Sequence, residues 1–226
     1  MVLKIGHRGL KGYGYENKLE AIQLAINNNM DAIEIDIRKT NDDSIVLFHD
    51  YSIYLDNKSH IIHETNYLII KNYVQTLSFI LSNIKVNSIK IFFDIKKCNN
   101  DEYFLYKFLN IIQHFIKKGW DNKLFYFQSF YSPYIKTLSD FNNLVINYGI
   151  IYHGLPLNQY KDCKLLNCTY ICLDFKSIDE KDIEYIKKNT NLKIYLFTIN
   201  KKEYILKYNK LNIDGIISDY SHIFKN

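Results

Sequence analysis

Short apolar runs alternate with longer amphipathic stretches along the whole chain. The runs are rich in Ile, Val, Phe and Tyr and have the length of β-strands. Eight are predicted as strands: 3–7, 32–37, 89–95, 124–128, 144–148, 170–174, 193–198 and 215–218. Helical spacing of the apolar positions predicts helices at 18–29, 74–84, 103–118, 132–141 and 180–188. Nearly continuous apolar strands separated by helices are typical of a parallel sheet covered on both faces.

Eight strand–helix units in 226 residues favour an α/β fold of the closed (β/α)8, or TIM-barrel, type. An open doubly wound sheet more often has five or six strands and a glycine-rich first turn, a form that Gly12-Tyr13-Gly14 lacks. A short strand at 45–48 is predicted to follow the second strand as a hairpin. Because no linker or repeat interrupts the chain, we expect one domain over 1–226.

Composition narrows the possible partners. The net charge is +5 and the lysines are scattered, without the basic stripe that nucleic-acid binding requires, so no nucleic-acid partner is expected. The four cysteines form no CxxC motif and are expected to be buried free thiols. No apolar run approaches the roughly 18 residues of a membrane span, and no signal peptide is expected before the first strand. A cytoplasmic protein without a transmembrane segment is expected.

Side chains suited to phosphodiester chemistry fall at strand ends in the first half of the chain. They are His7, Arg8, Glu34, Asp36, His49, Asp94 and Lys96. Residues two apart on a strand share a face, so Glu34 lies on the same face as Asp36. The same spacing places Asp94 and Lys96 together on the third barrel strand.

The second strand could turn Glu34 and Asp36 toward either face. On the outer face they would lie beside helix lysines, which is the usual place for charged residues. Ile33, Ile35 and Ile37 occupy the opposite face, and the face covered by helices must be apolar. This order indicates that the two carboxylates point into the barrel.

Three carboxylates at one end of a barrel would repel one another and lose hydration. A divalent cation removes this conflict, and oxygen ligands favour Mg²⁺ or Ca²⁺ over zinc. The imidazoles of His7 and His49 titrate near neutral pH, so one can accept a proton while the other donates one. Arg8 and Lys96 can contact phosphate oxygens. The pattern therefore predicts metal-assisted hydrolysis of a phosphodiester.

Several short motifs carry a more specific resemblance. They are His7-Arg8-Gly9, Glu16-Asn17, Ala32-Ile33-Glu34-Ile35-Asp36-Ile37, Val46-Leu47-Phe48-His49-Asp50, Thr76-Leu77, Gln128-Ser129-Phe130, Thr198-Ile199-Asn200 and Asp214-Gly215-Ile216-Ile217-Ser218-Asp219. In this order they are similar to the motifs of the glycerophosphodiester phosphodiesterases, from the first strand to the last. The resemblance implies a (β/α)8 fold, a divalent cation, a small-molecule substrate, and release of glycerol 3-phosphate and an alcohol.

Carried over position by position, the resemblance also implies roles. It assigns acid–base catalysis to His7 and His49, metal binding to Glu34, Asp36 and Asp94, and phosphate contacts to Arg8 and Lys96. The attacking oxygen belongs either to water or to the substrate's own glycerol hydroxyl, which would pass through a cyclic phosphate. Both routes remain open.

Three positions depart from the family pattern. Asp94 stands where glutamate is usual, and the shorter side chain is expected to weaken or alter metal affinity. Tyr15 replaces a proline, and Phe197 replaces a tryptophan near the substrate, which would loosen selectivity for the alcohol. The segment 51–73 is short, so a small cap and an open rim are expected.

Two alternatives to glycerophosphodiester hydrolysis are left. An open rim would also admit lysophospholipids, and exposed aromatic residues in 51–73 would favour this lysophospholipase D activity. A silent binding protein that only senses glycerophosphodiesters is the second alternative. Both histidines are retained, which favours an enzyme, because a pure binder needs no proton-transfer pair.

Overall fold

The computed structural model describes residues 2–99, 103–141, 144–154 and 160–225. The strands in these residues are β1 (Leu3–Gly6), β2 (Ala32–Lys39), β3 (Ile45–Leu47), β4 (Ser52–Leu55), β5 (Lys58–Ile61), β6 (Gln75–Thr76), β7 (Lys90–Ile95), β8 (Phe125–Ser129), β9 (Asn147–Tyr152), β10 (Tyr170–Asp174), β11 (Lys193–Phe197) and β12 (Gly215–Ser218). The α-helices are α1 (Leu19–Asn27), α2 (Tyr67–Ile70), α3 (Leu77–Asn83), α4 (Tyr103–Lys117), α5 (Ser132–Ser139), α6 (Tyr160–Leu165), α7 (Glu180–Asn189) and α8 (Lys202–Asn209).

Eight of the strands form a closed parallel barrel. Their order is β1, β2, β7, β8, β9, β10, β11 and β12, and β12 pairs with β1 to complete the circle. Helices follow β1 and β7 to β11 and cover the outside of the sheet. This confirms the predicted (β/α)8 fold, and the described residues form a single domain.

The predicted hairpin after the second strand is also present. β3 pairs antiparallel with β2, and β6 pairs antiparallel with β3. The connection between β3 and β6 holds the β4–β5 hairpin and the short helix α2, and we call residues 51–73 the cap segment. This region has a small separate hydrophobic core, which consists of Val46, Ile62, Ile70 and Val74.

Some boundaries differ from the prediction. β9 begins at Asn147, three residues after the predicted start at Leu144, because the amides of Leu144 and Val145 bond to the carbonyl of Phe141 in a turn. Helix α3 begins at Leu77 because the hydroxyl of Thr76 accepts a hydrogen bond from the amide of Phe79 and caps it. Helices α2, α6 and α8 are present but were not predicted.

Two apolar layers lie on the two faces of the barrel sheet. Ile33, Ile35 and Ile37 point outward into the main core with the helices, as their alternation predicts. Inside the barrel, aromatic rings fill the layer below the carboxyl ends of the strands. Phe92 stacks on Tyr126 with ring centroids 4.3 Å apart, and other rings meet at their edges. These buried rings fill the barrel interior beneath the cleft at the carboxyl end.

Within the described residues, no helix combines the length and the apolar character needed to cross a bilayer.

The interior rings require space that a glycine on the neighbouring strand provides. A Cβ built on Gly149 would lie 2.4 Å from the carbonyl oxygen of Tyr170 and 2.6 Å from its ring. We therefore expect Gly149→Ala to lower the free energy of unfolding by about 3 kcal/mol through overpacking. Urea unfolding measures this change.

Gly154→Ala is the matched control, because its Cβ would meet nothing closer than 3.7 Å. It should change stability by at most about 0.5 kcal/mol. Equal stability of the two variants would contradict close packing at Gly149.

Candidate active site

The turn after β1 carries two predicted site residues, His7 and Arg8. It places both of them next to Glu34 on the neighbouring strand β2. Arg8 has a left-handed φ of 50° and Gly9 a φ of 87°. A Cβ on Gly9 would lie 2.7 Å from the Cβ of Ala21, so a glycine is required here. The turn is held by the amide of Arg8, which donates to the Glu34 carboxylate at 3.0 Å, and by the amide of Gly9, which donates to the Glu34 carbonyl at 3.1 Å.

Glu34, Asp36 and Asp94 converge at the carboxyl end of the barrel interior. β2 and β7 are neighbours in parallel register, with Asp36 opposite Asp94. One carboxylate oxygen from each of the three residues lies within 4.8 Å of the other two. All three side chains are buried, with exposed fractions of 3%, 1% and 5%. The structure thus places both strands' carboxylates inside the barrel, as predicted.

Two cations and an amide compensate the charge of this acidic cluster. The ammonium of Lys96 lies 2.8 Å from Asp36 and 2.5 Å from Asp94. The Nε of Arg8 lies 3.3 Å from Asp36. Asn17 donates to the Asp36 carboxylate at 2.7 Å and accepts from the Asp36 amide at 3.0 Å. Asp36 is therefore the centre at which these contacts meet.

The surroundings separate the pKa values of the three acids. Burial, and then the charges of Asp36 and Asp94, hold the pKa of Glu34 well above its usual range. Burial also raises the pKa of Asp94, although Lys96 opposes this. Burial would raise the pKa of Asp36 as well, but the charges of Lys96 and Arg8 outweigh it and lower the value. Glu34 and Asp94 consequently remain under-compensated acids.

The donor set suits a hard divalent cation. The three ligand residues offer only carboxylate oxygens, which Mg²⁺ and Ca²⁺ prefer. Oδ1 of Asp94 is buried and has no hydrogen-bond partner among the described residues. A buried anionic oxygen without a partner is costly, and a cation between the three acids would satisfy it.

Each of the two predicted catalytic histidines is oriented by a carboxylate. Nδ1 of His7 lies 2.6 Å from Oδ1 of Asp219, and Asn200 donates to the other oxygen of Asp219 at 2.6 Å. Nδ1 of His49 lies 2.7 Å from Asp50. Nε2 of His7 lies 3.9 Å from a Glu34 oxygen. A carboxylate on one ring nitrogen orients the imidazole for proton transfer at the other nitrogen.

All eight predicted site residues line one cleft at the carboxyl end, with a volume of about 220 Å³. They are His7, Arg8, Glu34, Asp36, His49, Asp94, Lys96 and Phe197. The rest of the lining is mostly apolar or aromatic, and its polar members are Gln128, His153 and Thr198. The structure therefore brings the candidates together, although their roles stay predictions.

Sequence reasoning missed several residues in and around this cleft, because Gln128 lines it while Asn17 contacts Asp36 and Asp219 contacts His7. The family motifs in the sequence include Asn17, Gln128 and Asp219, so their place in those motifs could have marked them as site residues. The sequence analysis gave them no role. His153 also received no role from the sequence, whereas it lines the cleft. Its partners come from other strands, so no local pattern reveals it.

The fold and the site define a (β/α)8-barrel enzyme whose acidic and histidine side chains lie at the carboxyl end of the strands, where barrel enzymes carry their active sites. The chain belongs to the glycerophosphoryl diester phosphodiesterase family, whose model matches residues 7–223. This membership confirms the resemblance noted in the sequence and makes the chain a phosphoric diester hydrolase.

Relatives support the assignment along nearly the whole chain. YhdW of Bacillus subtilis (strain 168), whose name places it among these phosphodiesterases, is 25% identical over 245 residues, covering 96% of this chain and 93% of YhdW. A phosphodiesterase of Oleispira antarctica, solved with the product sn-glycerol-3-phosphate, has a TM-score of 0.84 at 22% identity and covers 98% and 94% of the two chains. An enzyme of Thermotoga maritima has a TM-score of 0.76 at 20% identity, covering 99% and 97%. These two structures share the fold.

The partial burial of His49 has a measurable effect on the pKa of its imidazole. Burial, more than any single charge, lowers the pKa of His49 below its usual value of 6.5. A base with a lowered pKa stays neutral to a lower pH, so His49 should be able to accept a proton throughout the neutral range. NMR titration of labelled histidine should give a midpoint below 6.5, with the His49→Gln variant identifying the signal. A midpoint at or above 6.5 would contradict the burial.

Proposed function

We propose that the protein hydrolyses glycerophosphodiesters to glycerol 3-phosphate and an alcohol, with a divalent cation and acid–base catalysis by His7 and His49. One observation carries the proposal. Both histidines, each held by a carboxylate, lie in the same cleft as three converging carboxylates. The family and the bound product of the Oleispira antarctica relative support the substrate class.

Glu34, Asp36 and Asp94 would hold the cation. When bound, it would supply positive charge to the phosphoryl oxygens as a Lewis acid. Among the described residues this is the cluster of three acids whose ligand atoms lie within 4.8 Å of one another. The cation is proposed to be Mg²⁺ or Ca²⁺.

Arg8 and Lys96 would bind the phosphodiester. Both line the cleft and carry permanent positive charge, since the carboxylates of Asp94 and Asp36 raise the pKa of Lys96 against the effect of burial. Charged donors that are already in place when charge develops lower the barrier without reorganisation. These two residues would therefore orient the phosphate between the histidines.

His7 and His49 would move the protons. One imidazole takes the proton of the attacking oxygen, and the other gives a proton to the leaving alcohol. Asp219 holds Nδ1 of His7 and would stabilise the imidazolium that forms, and its own lowered pKa keeps it ionised. The same pair serves attack by water and attack by the substrate's glycerol hydroxyl.

Release of glycerol 3-phosphate tests the proposal directly. The protein should release it from glycerophosphodiesters with Mg²⁺ or Ca²⁺, and EDTA should abolish the release. His7→Ala should lower kcat about 10²- to 10⁴-fold, the usual contribution of one acid–base group. His114→Ala, on the exposed face of α4, is the matched control and should behave as the wild type.

Absence of release with every metal would overturn the proposal. If calorimetry then still showed binding of the diesters, the silent binding protein would be the remaining function.

The cap segment supports lysophospholipids as a second class of substrate. Tyr51, Tyr54 and Tyr73 are 51%, 69% and 49% exposed, and α2 exposes Leu68 and Ile69 as well. Exposed apolar groups of this number mark contact surfaces for lipids or proteins. The segment follows directly on His49 at the cleft, so a lipid-bearing diester could lie across it.

The substitutions Leu68→Ser and Ile69→Ser, made together, should lower kcat/KM for lysophosphatidylcholine about tenfold, because two apolar contacts are lost. Hydrolysis of water-soluble glycerophosphocholine should not change. The matched control is Leu206→Ser on α8, which is also exposed but far from the cap segment in sequence. An equal loss on both substrates, or no loss on either, would rule out a lipid role for α2.

A further inference from the structure

The rim of the cleft divides into two chemically different halves. The charged residues, including both histidines of the proposed mechanism, come from β1, β2, β7 and the end of β3. The opposite half comes from four consecutive strands, β8 to β11. At or just beyond their carboxyl ends these strands carry Phe130, His153, Asp174 and Phe197. The proposed mechanism uses none of these four residues for proton transfer or metal binding.

Three aromatic rings of this second half contact one another. Phe130 and His153 stack with centroids 4.6 Å apart and planes 23° apart. Phe197 meets Phe130 edge-on at 6.1 Å and His153 at 5.7 Å. Phe130 is 42% exposed, and the His153 side chain is 71% exposed. The rings thus form an accessible wall, although large aromatic side chains are usually covered.

Asp174 adds a negative charge to this aromatic wall. It pairs in register with Phe197 on the neighbouring strand. Its Oδ2 lies 3.6 Å from Nδ1 of His153, and its Oδ1 accepts a hydrogen bond from the amide of Lys176. Among the residues that the structure describes, no lysine or arginine forms an ion pair with Asp174. The Asp174 side chain is 22% exposed and lies beside the cleft-lining residues His153 and Phe197, so its charge attracts a cation that contacts those rings.

Aromatic faces beside a carboxylate attract organic cations, because the ring quadrupole and the charge act together. Nζ of Lys96 lies 5.8 Å from the centre of the Phe130 ring, so Phe130 stands at the boundary between the cationic half of the rim and the aromatic half. A zwitterionic diester would then place its phosphate on the cationic half of the rim and its ammonium group on the aromatic half.

We propose that Phe130, His153, Asp174 and Phe197 form a subsite for a substrate alcohol that carries an ammonium group, as choline and ethanolamine do. This inference rests on the proposed hydrolysis of glycerophosphodiesters and adds the class of alcohol to it. A neutral polyol has no charge for Asp174 to recognise, so the subsite discriminates between the two classes of alcohol.

The ratio of kcat/KM for glycerophosphocholine to that for glycerophosphoglycerol measures this discrimination. Asp174→Asn keeps the side-chain oxygen that accepts from Lys176 and removes the charge. It should lower the ratio about tenfold, and Phe130→Leu should lower it about 3- to 10-fold by removing an aromatic face. Asp140→Asn, at the exposed end of α5, is the matched control and should leave the ratio at the wild-type value.

A second measurement tests binding of a cation to the subsite without any hydrolysis. Tetramethylammonium should shift the NMR signals of the His153 ring, and in Asp174→Asn its affinity should fall by a factor similar to the fall in the ratio. Hydrolysis of both diesters with an unchanged ratio in Asp174→Asn would overturn the subsite and leave the proposed function intact. No hydrolysis of any diester would overturn the proposed function, and tetramethylammonium binding would then decide on the subsite alone.

Discussion

The packing of three carboxylates inside the end of the barrel is the constraint on which the rest of the site depends. Buried like charges raise one another's energy, and the fold tolerates them here because Lys96 and Arg8 lie within ion-pair distance of Asp36. These contacts tie the turn after β1 to β2 and β7. The positions of His7, Arg8 and Lys96 follow from this charge balance.

The barrel provides the frame for that balance. Because all eight strands run parallel, their carboxyl ends meet at one rim, and residues far apart in sequence become neighbours. The aromatic layer around Phe92 and Tyr126 fills the interior, with Phe92 in register with Glu34 and two residues before Asp94. The site therefore lies above a packed aromatic interior, with the aromatic residues Phe130, His153 and Phe197 along one part of its lining.

Much of this arrangement could be predicted from local patterns. The alternation in β2, with isoleucines at 33, 35 and 37, correctly placed Glu34 and Asp36 inside the barrel. The start of β9 was placed too early, because an apolar run does not reveal that it begins in a turn. His153 could not be predicted, because its partners Phe130 and Asp174 lie on other strands and contacts across strands leave no periodic signal.

By itself, the sequence determined the barrel, the hairpin after β2 and the set of side chains at the strand ends, because strand and helix periods and short motifs are local properties. Only the tertiary structure decided how these side chains act on one another. In the folded chain Asp219 contacts His7, and the aromatic rings of Phe130 and His153 stack. The pKa of Glu34 is raised, whereas that of Asp36 is lowered. Burial and charge separation depend on distances in space, which the order of residues along a chain does not contain.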